Sequence, residues 1–392
     1  MTNQTSKQRQ FVQPGLGTTT TKAGGELRSM WVETPGWCDL YCQYCFAATR
    51  KIDRDPNNLT LEEYRQLLKS FAEMGGRDVG IPGSGEPFHR DDQVGVSNCK
   101  LTMDILDCCK EFGLCLTIFT TGHWIDVALA ERLKEYDLVL LLKYNSIDEK
   151  TQNTLVGIND KNPQFNYAQQ RDHALLNLMA MGFNTPAFGK KSRLGIVTSV
   201  MNANKHELPK LLRFARRHNL IFDCDTILER GRGKSFDEAG GSPPDNEMRE
   251  IFRTLQRIDA EEFGIHWHIS RSYIGTCCDR FRHHLYVSKT GDVHPCVGAT
   301  TVHLGNIRTA TLQEFWDAPA MRIIRNHDYA GKCTECLNFK EEKCYSCLGR
   351  CTSNLNNAQI ETDGCVQTIG CWNHCSSPSS DNDPSTGGLC NE

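Results

Sequence analysis

The chain has 392 residues, enough for a full core plus an accessory domain, and a formal charge of −4 from 44 Lys+Arg against 48 Asp+Glu. No basic stripe with interleaved aromatics stands out, which argues against a nucleic-acid binder, and no apolar run approaches the length of about eighteen residues that a membrane-spanning helix needs. The first thirteen residues are polar and lack the apolar core of an export signal, so the 20 cysteines read as metal ligands of a cytoplasmic protein rather than as a disulfide scaffold.

Residues 1–27, with Thr18 to Thr21 and Gly24-Gly25, offer little to bury and read as a flexible arm. A first strand is expected over 28–33. Cys38, Cys42 and Cys45 follow on one short loop, with three residues between the first two and two between the last two. A cubane [4Fe–4S] cluster needs four ligands, usually thiolates, so a loop that offers three leaves one iron open to a substrate or cofactor. A zinc knuckle or a set of buried thiols is the competing reading, but zinc favours two paired Cys-x2-Cys arms and this is one asymmetric triplet.

Thr60 and Glu63 form a capping-box pair, so a helix should begin at Leu61 and run over 61–74. Apolar runs of strand length recur over 79–82, 116–120, 138–143, 194–200 and 221–228, separated by helical patterns over 103–112, 127–136, 167–181 and 207–218. Strands alternating with helices predict βαβ units and a parallel sheet. With the first strand there are six, too few for a closed eight-stranded barrel.

Ligands of such folds bind at the carboxyl ends of the strands. The second strand ends in Gly83-Ser84-Gly85-Glu86-Pro87, where glycine lets the backbone approach a ligand and a carboxylate can accept hydrogen bonds. The third ends in Thr120-Thr121-Gly122, and the fourth in Lys143-Tyr144-Asn145-Ser146, each equally readable as a solvated strand end or helix cap. The fifth carries Thr198, and the sixth carries Cys224 and Asp225, of which strand alternation lets at most one point inward.

After a helical stretch over 246–262 the pattern changes to short segments, turns and cysteines, placing a domain boundary near 264–276. Eleven cysteines lie between Cys277 and Cys375. Twelve residues separate Cys278 from Gly291 and four separate Gly291 from Cys296; then come Cys333-x2-Cys336, Cys344-x2-Cys347-x3-Cys351, Cys365, Cys371 and Cys375. Asp292-Val293 reads as a hairpin turn that carries Cys278 toward Cys296. Residues 376–392 read as a flexible tail, and Cys99, Cys108, Cys109, Cys115 and Cys390 as packing or surface thiols.

The segment Trp37-Cys38-Asp39-Leu40-Tyr41-Cys42-Gln43-Tyr44-Cys45-Phe46 resembles the signature of the radical S-adenosylmethionine (SAM) superfamily, including the aromatic Tyr44 just before the third cysteine. The later cysteines resemble the SPASM extension of that family, closely up to Cys336; beyond it, ten residues separate Cys336 from Cys347 and an extra Cys344 intervenes. The resemblance implies a partial (β/α)6 barrel over 28–263 and an auxiliary-cluster SPASM domain over 264–375. It implies that Cys38, Cys42 and Cys45 hold the [4Fe–4S] cluster whose open iron chelates SAM. Gly83, Gly85 and Glu86 would hold the SAM amino group, Lys143 its carboxylate, Thr120 and Ser146 polar groups including the ribose, and the strand of Thr198 the adenine.

One auxiliary cluster would take Cys278, Cys296 and Cys351 with a fourth ligand such as Cys277. The other would take Cys333, Cys336, Cys347 and either Cys365 or Cys371, with Cys344 able to replace Cys347. The implied chemistry is that of an oxidoreductase or maturase: an electron from a donor such as flavodoxin or ferredoxin, reductive cleavage of SAM to a 5′-deoxyadenosyl radical, and abstraction of a substrate hydrogen. Dehydrogenation, crosslinking or epimerisation could follow, with Cys224 as hydrogen-atom donor in the last case and Asp225 positioning substrate. The implied substrate is a peptide or protein, or a sugar or aminocyclitol metabolite. Only 37 residues precede Cys38, too few for the peptide-recognition domain of several relatives, so a peptide would need direct capture or a partner. A non-catalytic iron–sulfur or zinc electron-transfer protein is the reading from another class.

Overall fold

The structure is a computed structural model that describes residues 25–49, 55–91, 96–158, 165–185, 192–270, 278–352 and 355–375. Most of the expected N-terminal arm, the expected C-terminal tail and the Cys277 ligand lie outside the described residues.

Six strands form at the expected places: β1 (Ser29–Val32), β2 (Asp78–Ile81), β3 (Cys115–Thr120), β4 (Leu138–Lys143), β5 (Leu194–Ser199) and β6 (Ile221–Asp225). All five neighbouring pairs are parallel, with Met30 opposite Val79, Leu116 opposite Leu138 and Ile196 opposite Phe222. The helices between them are α1 (Leu61–Glu73), α2 (Asn98–Glu111), α3 (Val127–Leu133), α4 (Glu149–Leu155), α5 (Tyr167–Ala180) and α6 (Leu208–Arg217). Then come α7 (Arg232–Glu238) and α8 (Asp245–Phe263). The α1 start follows from its capping box: Thr60 Oγ1 accepts from the Glu63 amide and the Glu63 carboxylate accepts from the Thr60 amide at 2.8 Å. Helices α4 and α7, of seven residues each, were not anticipated: Glu149–Leu155 and Arg232–Glu238 are mostly polar and carry too few apolar residues to mark a 3.6-residue period.

Strand alternation sorts the side chains. Met30, Val32, Leu116, Ile118, Leu140, Leu142, Ile196 and Phe222 face the helices and join the main core. Trp31, Phe119, Lys143, Val197, Asp223 and Asp225 face the concave side. The arrangement is a partial (β/α)6 barrel.

The sheet does not stop at the expected boundary. Strand β7 (His284–Val287) pairs parallel to β1, Met30 opposite Leu285, and β8 (Asp292–His294) and β9 (Gly305–Asn306) extend it antiparallel. The nine strands run in the order β9-β8-β7-β1-β2-β3-β4-β5-β6. A parallel partner 255 residues away leaves no local trace in the sequence, which is why the cysteine-rich region read as separate from the sheet. The hairpin forms, but its turn is Lys289-Thr290-Gly291 between β7 and β8, with Gly291 at φ +88°; Asp292 and Val293, expected as the turn, are the first residues of β8.

Candidate functional site

The concave side of the sheet holds a cavity of about 250 Å3 at the carboxyl ends of the strands. Cys38, Cys42 and Cys45 line one side of it, and Cys278, Cys296 and Cys347 line it from the later region. The floor is the strand ends between them.

The three-thiol loop is held from below by α4: the Tyr41 and Gln43 amides donate to the Val156 and Leu155 carbonyls at 2.9 and 3.1 Å. Loss of solvation, with the Cys45 charge, pushes the Cys42 thiol up to about 12, while the Tyr44 hydroxyl, Arg232 and Lys143 pull the other way. Such thiols are poor free nucleophiles but suit a cation that would compensate their charge. Gly85 lies so close to the loop that a Cβ there would stand 2.6 Å from the Trp37 carbonyl oxygen, so only glycine lets the second strand end meet the cysteine loop.

Glu86 is fully buried at the cavity wall and its carboxylate is already saturated. Oε1 accepts from the Phe88 amide and Thr120 Oγ1, at 3.1 and 2.5 Å; Oε2 accepts from the Thr121 amide and Thr121 Oγ1, at 2.7 and 2.6 Å. Thr121 Oγ1 also bonds His123 Nδ1 at 2.8 Å, and His123 Nε2 bonds Asp39 Oδ2 at 2.9 Å. One continuous network thus ties Glu86 to the residue that follows Cys38, a role for Thr121, His123 and Asp39 that spacing along the chain does not announce.

The other expected ligand contacts divide. Tyr44, Gly83, Gly85, Glu86, Thr120 and Lys143 line the cavity. Ser146 and Thr198 do not. Ser146 is fully buried and donates to Glu207 Oε1 at 2.7 Å, where it caps the turn into α4. Thr198 faces outward and contacts Asn145 and Asn204, while its neighbours Val197 and Ser199 line the cavity. The residues of this strand that line the cavity are thus one position out of phase with Thr198.

The same phase decides β6. Cys224 is fully buried in the main core between sheet and helices, pointing away from the cavity, so it is not placed to give a hydrogen atom to a substrate radical. Asp225 faces the cavity, and with it Asp223, which the sequence reading passed over although period-two alternation pairs the two. Asp225 accepts from Arg350 Nη2 at 2.8 Å. Asp223 is 5% exposed and its Oδ1 has no hydrogen-bond partner. Burial, reinforced by Asp225 and opposed by Lys143, Arg280 and Arg350, raises its carboxyl to about 7. Lys143, half-buried, has its ammonium 5.4 Å from the centre of the Phe119 ring, and loss of solvation lowers its pKa.

The later cysteines group differently from the expected partition. Cys347, not Cys351, joins Cys278 and Cys296 at the cavity, where burial, reinforced by the Cys347 charge, pushes both thiols up, Cys296 to about 11. The Cys351 thiol is instead hydrogen-bonded with the Cys333 and Cys371 thiols. A glycine contact permits this approach: a Cβ on Gly349 would stand 2.7 Å from the Gly298 Cα, so only without one can the Cys347 turn pack against the Cys296 wall. Cys344 lies near Cys333, Cys336 and Cys347, and Cys336 Sγ accepts from the Cys375 amide at 3.3 Å. Cys365 Sγ accepts from Gln367. Among the described residues no group of three ligand side chains is already closed to ion-binding geometry. What fits iron–sulfur clusters is the chemistry of the donor set, reduced thiols grouped around one cavity and behind it.

No helix among the described residues is long and apolar enough to cross a membrane. Residues 32–213 match the family model of the radical SAM superfamily, and residues 277–337 match the SPASM iron–sulfur cluster-binding domain. Sequence relatives include two GTP 3′,8-cyclases. That of Pseudomonas fluorescens is 41% identical over 63 residues, 16% of this chain and 18% of the relative. That of Haemophilus influenzae is 27% identical over 123 residues, 31% of this chain and 34% of the relative. The matches therefore span well under two thirds of either relative. Streptococcus suis SuiB superposes with TM-score 0.55 at 18% identity, covering 80% of this chain and 72% of that one. The structure of anSMEcpe with bound AdoMet gives 0.54 at 16%, covering 80% and 87%. The structure of anSMEcpe with bound AdoMet and the Cp18Cys peptide gives 0.53 at 16%, covering 86% and 95%. At these identities the likeness is one of fold.

Proposed function

We propose, from the premise that this chain belongs to the radical SAM superfamily and carries a SPASM iron–sulfur domain, that it oxidatively modifies a peptide or protein side chain by dehydrogenation or crosslinking. The observation that carries this reading is the single cavity lined by both thiol groups, Cys38, Cys42 and Cys45 with Cys278, Cys296 and Cys347. A substrate there lies between a SAM site and an auxiliary-cluster site. Cys38, Cys42 and Cys45 would hold the cluster that, when bound, would supply the electron for reductive SAM cleavage, a radical chemistry able to remove hydrogen from carbons that acid–base groups cannot activate. The protein's own part is binding, orientation and proton handling. Lys143 offers a cation to the SAM carboxylate, and the Glu86 network holds the second strand end and the cysteine loop in one rigid wall.

Asp223 offers the one unpartnered buried carboxylate oxygen of that wall among the described residues. It is proposed to accept the proton that a substrate hydroxyl, amine or thiol loses once its carbon has given up a hydrogen atom, the electron left on the substrate passing to an auxiliary cluster that Cys278, Cys296 and Cys347 would help to hold. Cys224 points into the core, so the epimerase outcome that would use it as hydrogen donor is not proposed. A peptide is favoured over a small metabolite because anSMEcpe, alike in fold, has been solved with both AdoMet and a peptide.

The test is anaerobic reconstitution with dithionite and SAM. Wild-type protein should form 5′-deoxyadenosine, and a Cys38→Ala, Cys42→Ala, Cys45→Ala triple variant should lose that activity while keeping its auxiliary iron. Absence of 5′-deoxyadenosine from a protein with intact clusters would sink the proposal.

A further inference from the structure

The three-thiol loop has a second anchor, from the segment Gly231-Arg232-Gly233 where α7 begins. The Arg232 and Gly233 amides donate to the Cys45 carbonyl at 3.0 and 3.4 Å. The guanidinium donates through Nε to the Cys42 carbonyl at 2.8 Å and through Nη1 to the Ala48 carbonyl at 3.0 Å, and it lies 4.2 Å from the centre of the Tyr41 ring. The contact requires the first of the two glycines: a Cβ on Gly231, at φ +54°, would stand 2.5 Å from the Phe46 carbonyl oxygen. One on Gly233 would stand 3.0 Å from the Tyr44 carbonyl oxygen and 2.5 Å from that of Leu228 in the neighbouring turn. Within the loop itself the backbone makes one hydrogen bond, Cys45 to Cys42 at 3.3 Å. Its shape is therefore imposed from outside, by α4 on one side and by this segment on the other.

We infer that Arg232 is a positioning residue for the SAM-binding cluster, fixing the carbonyls of the loop with its fork of donors and setting a permanent positive charge beside Cys42. The inference rests on the assignment of that cluster to Cys38, Cys42 and Cys45. A planar guanidinium serves both ends at once, because it can satisfy two carbonyls and stack on an aromatic ring without losing its charge. A cation beside a thiolate-bound group favours whichever of its redox states is more negative, so it should make reduction easier.

The experiment compares full-length wild type with Arg232→Gln and Arg232→Lys after anaerobic reconstitution. It reads iron per chain, the yield of the reduced-cluster EPR signal that changes on adding SAM, and the midpoint potential of that signal. Arg232→Gln should lower the signal yield several-fold and move its midpoint to a more negative potential. Arg232→Lys should restore the midpoint but not the yield, since it keeps the charge and loses the fork. Gly231→Ala should lower the yield with the midpoint unmoved. A glutamine variant with wild-type yield and midpoint overturns the inference, as does a lysine variant that behaves like the glutamine one in potential. Should Arg232→Gln fail to fold, the lysine and Gly231→Ala variants carry the decision by the same two readings. A wild-type protein with no SAM-responsive signal would remove this inference together with the cluster assignment it rests on, an outcome distinct from failure of the variants alone.

Discussion

At Asp223, burial and the neighbouring Asp225 carboxylate act in the same direction, and the three cations around them only partly offset it. A carboxyl whose folded value is raised, here from 3.8 to about 7, favours the fold while protonated. That contribution is fully present below pH 3.8 and is lost as pH rises through 7. Asp223→Asn should therefore match wild type in urea unfolding at pH 4 and exceed it at pH 8, by a few kcal/mol at most. Parallel pH profiles for the two proteins would show that the group is not held as described. If Asp223 also takes the substrate proton, the same variant should lower product formation by about 10²-fold or more while leaving SAM cleavage intact.

Cys224 makes the opposite prediction. Cys224→Ala should cost about 1–2 kcal/mol by leaving a small void in the core, with 5′-deoxyadenosine and substrate product formed as in wild type. Loss of product with SAM cleavage and stability retained would put the thiol back at the site. Residue types at strand ends were legible from the sequence; the phase was not. A strand of alternating residues reads equally well with either face inward until one neighbour fixes it, which is why Cys224 and Thr198 were expected at the cavity and Asp223 was not; Ser146 lies past the end of β4, in the turn into α4.

Among the elements, the joint between α6 and α8 shows what holds the barrel's last helix. Arg216 Nε and Nη2 meet the Asp259 carboxylate at 2.7 and 2.8 Å, both side chains are almost wholly buried, and Trp267 Nε1 donates to Asp259 Oδ2 at 3.0 Å. Removing one partner of such a pair leaves a buried charge unmatched. Asp259→Ala should cost about 3–5 kcal/mol in denaturant unfolding, and an Arg216→Met, Asp259→Leu double variant should recover most of it. Equal losses in both would mean that packing, not the charge, dominates. Element starts were legible where a cap announces them, as at Thr60 and Glu63, because capping acts over three residues and leaves its mark locally. The contacts that fix α8, between residues 43 apart, leave none.

Across the whole molecule, β1 sits between β2 and β7, so the cysteine-rich region supplies one of the two neighbours of the first barrel strand. Arg280 lies 3.7 Å from the centre of the Trp31 ring, and Arg350 ties the last barrel strand to the Cys347 turn. A protein truncated after residue 263 would expose the hydrogen-bonding edge of β1 and strip the cover from Trp31. It should lose cooperative thermal unfolding and aggregate, in a circular dichroism melt against full-length protein. A truncated chain that melts cooperatively near the full-length temperature would show that the barrel stands alone.

The sequence by itself determined the alternation of strands and helices, the capping box at Thr60 and Glu63, and the two cysteine groups, three in front and eleven between Cys277 and Cys375. These depend on period, capping and spacing, which are interactions between near neighbours. Only the tertiary structure decided that both thiol groups face one cavity, that Cys347 rather than Cys351 reaches it, and that Asp223 and Arg232 belong to the site. Each of those rests on a contact between distant segments, Gly349 on Gly298, Arg232 on the Cys42 carbonyl, β7 on β1, and such contacts exist only once the chain has closed.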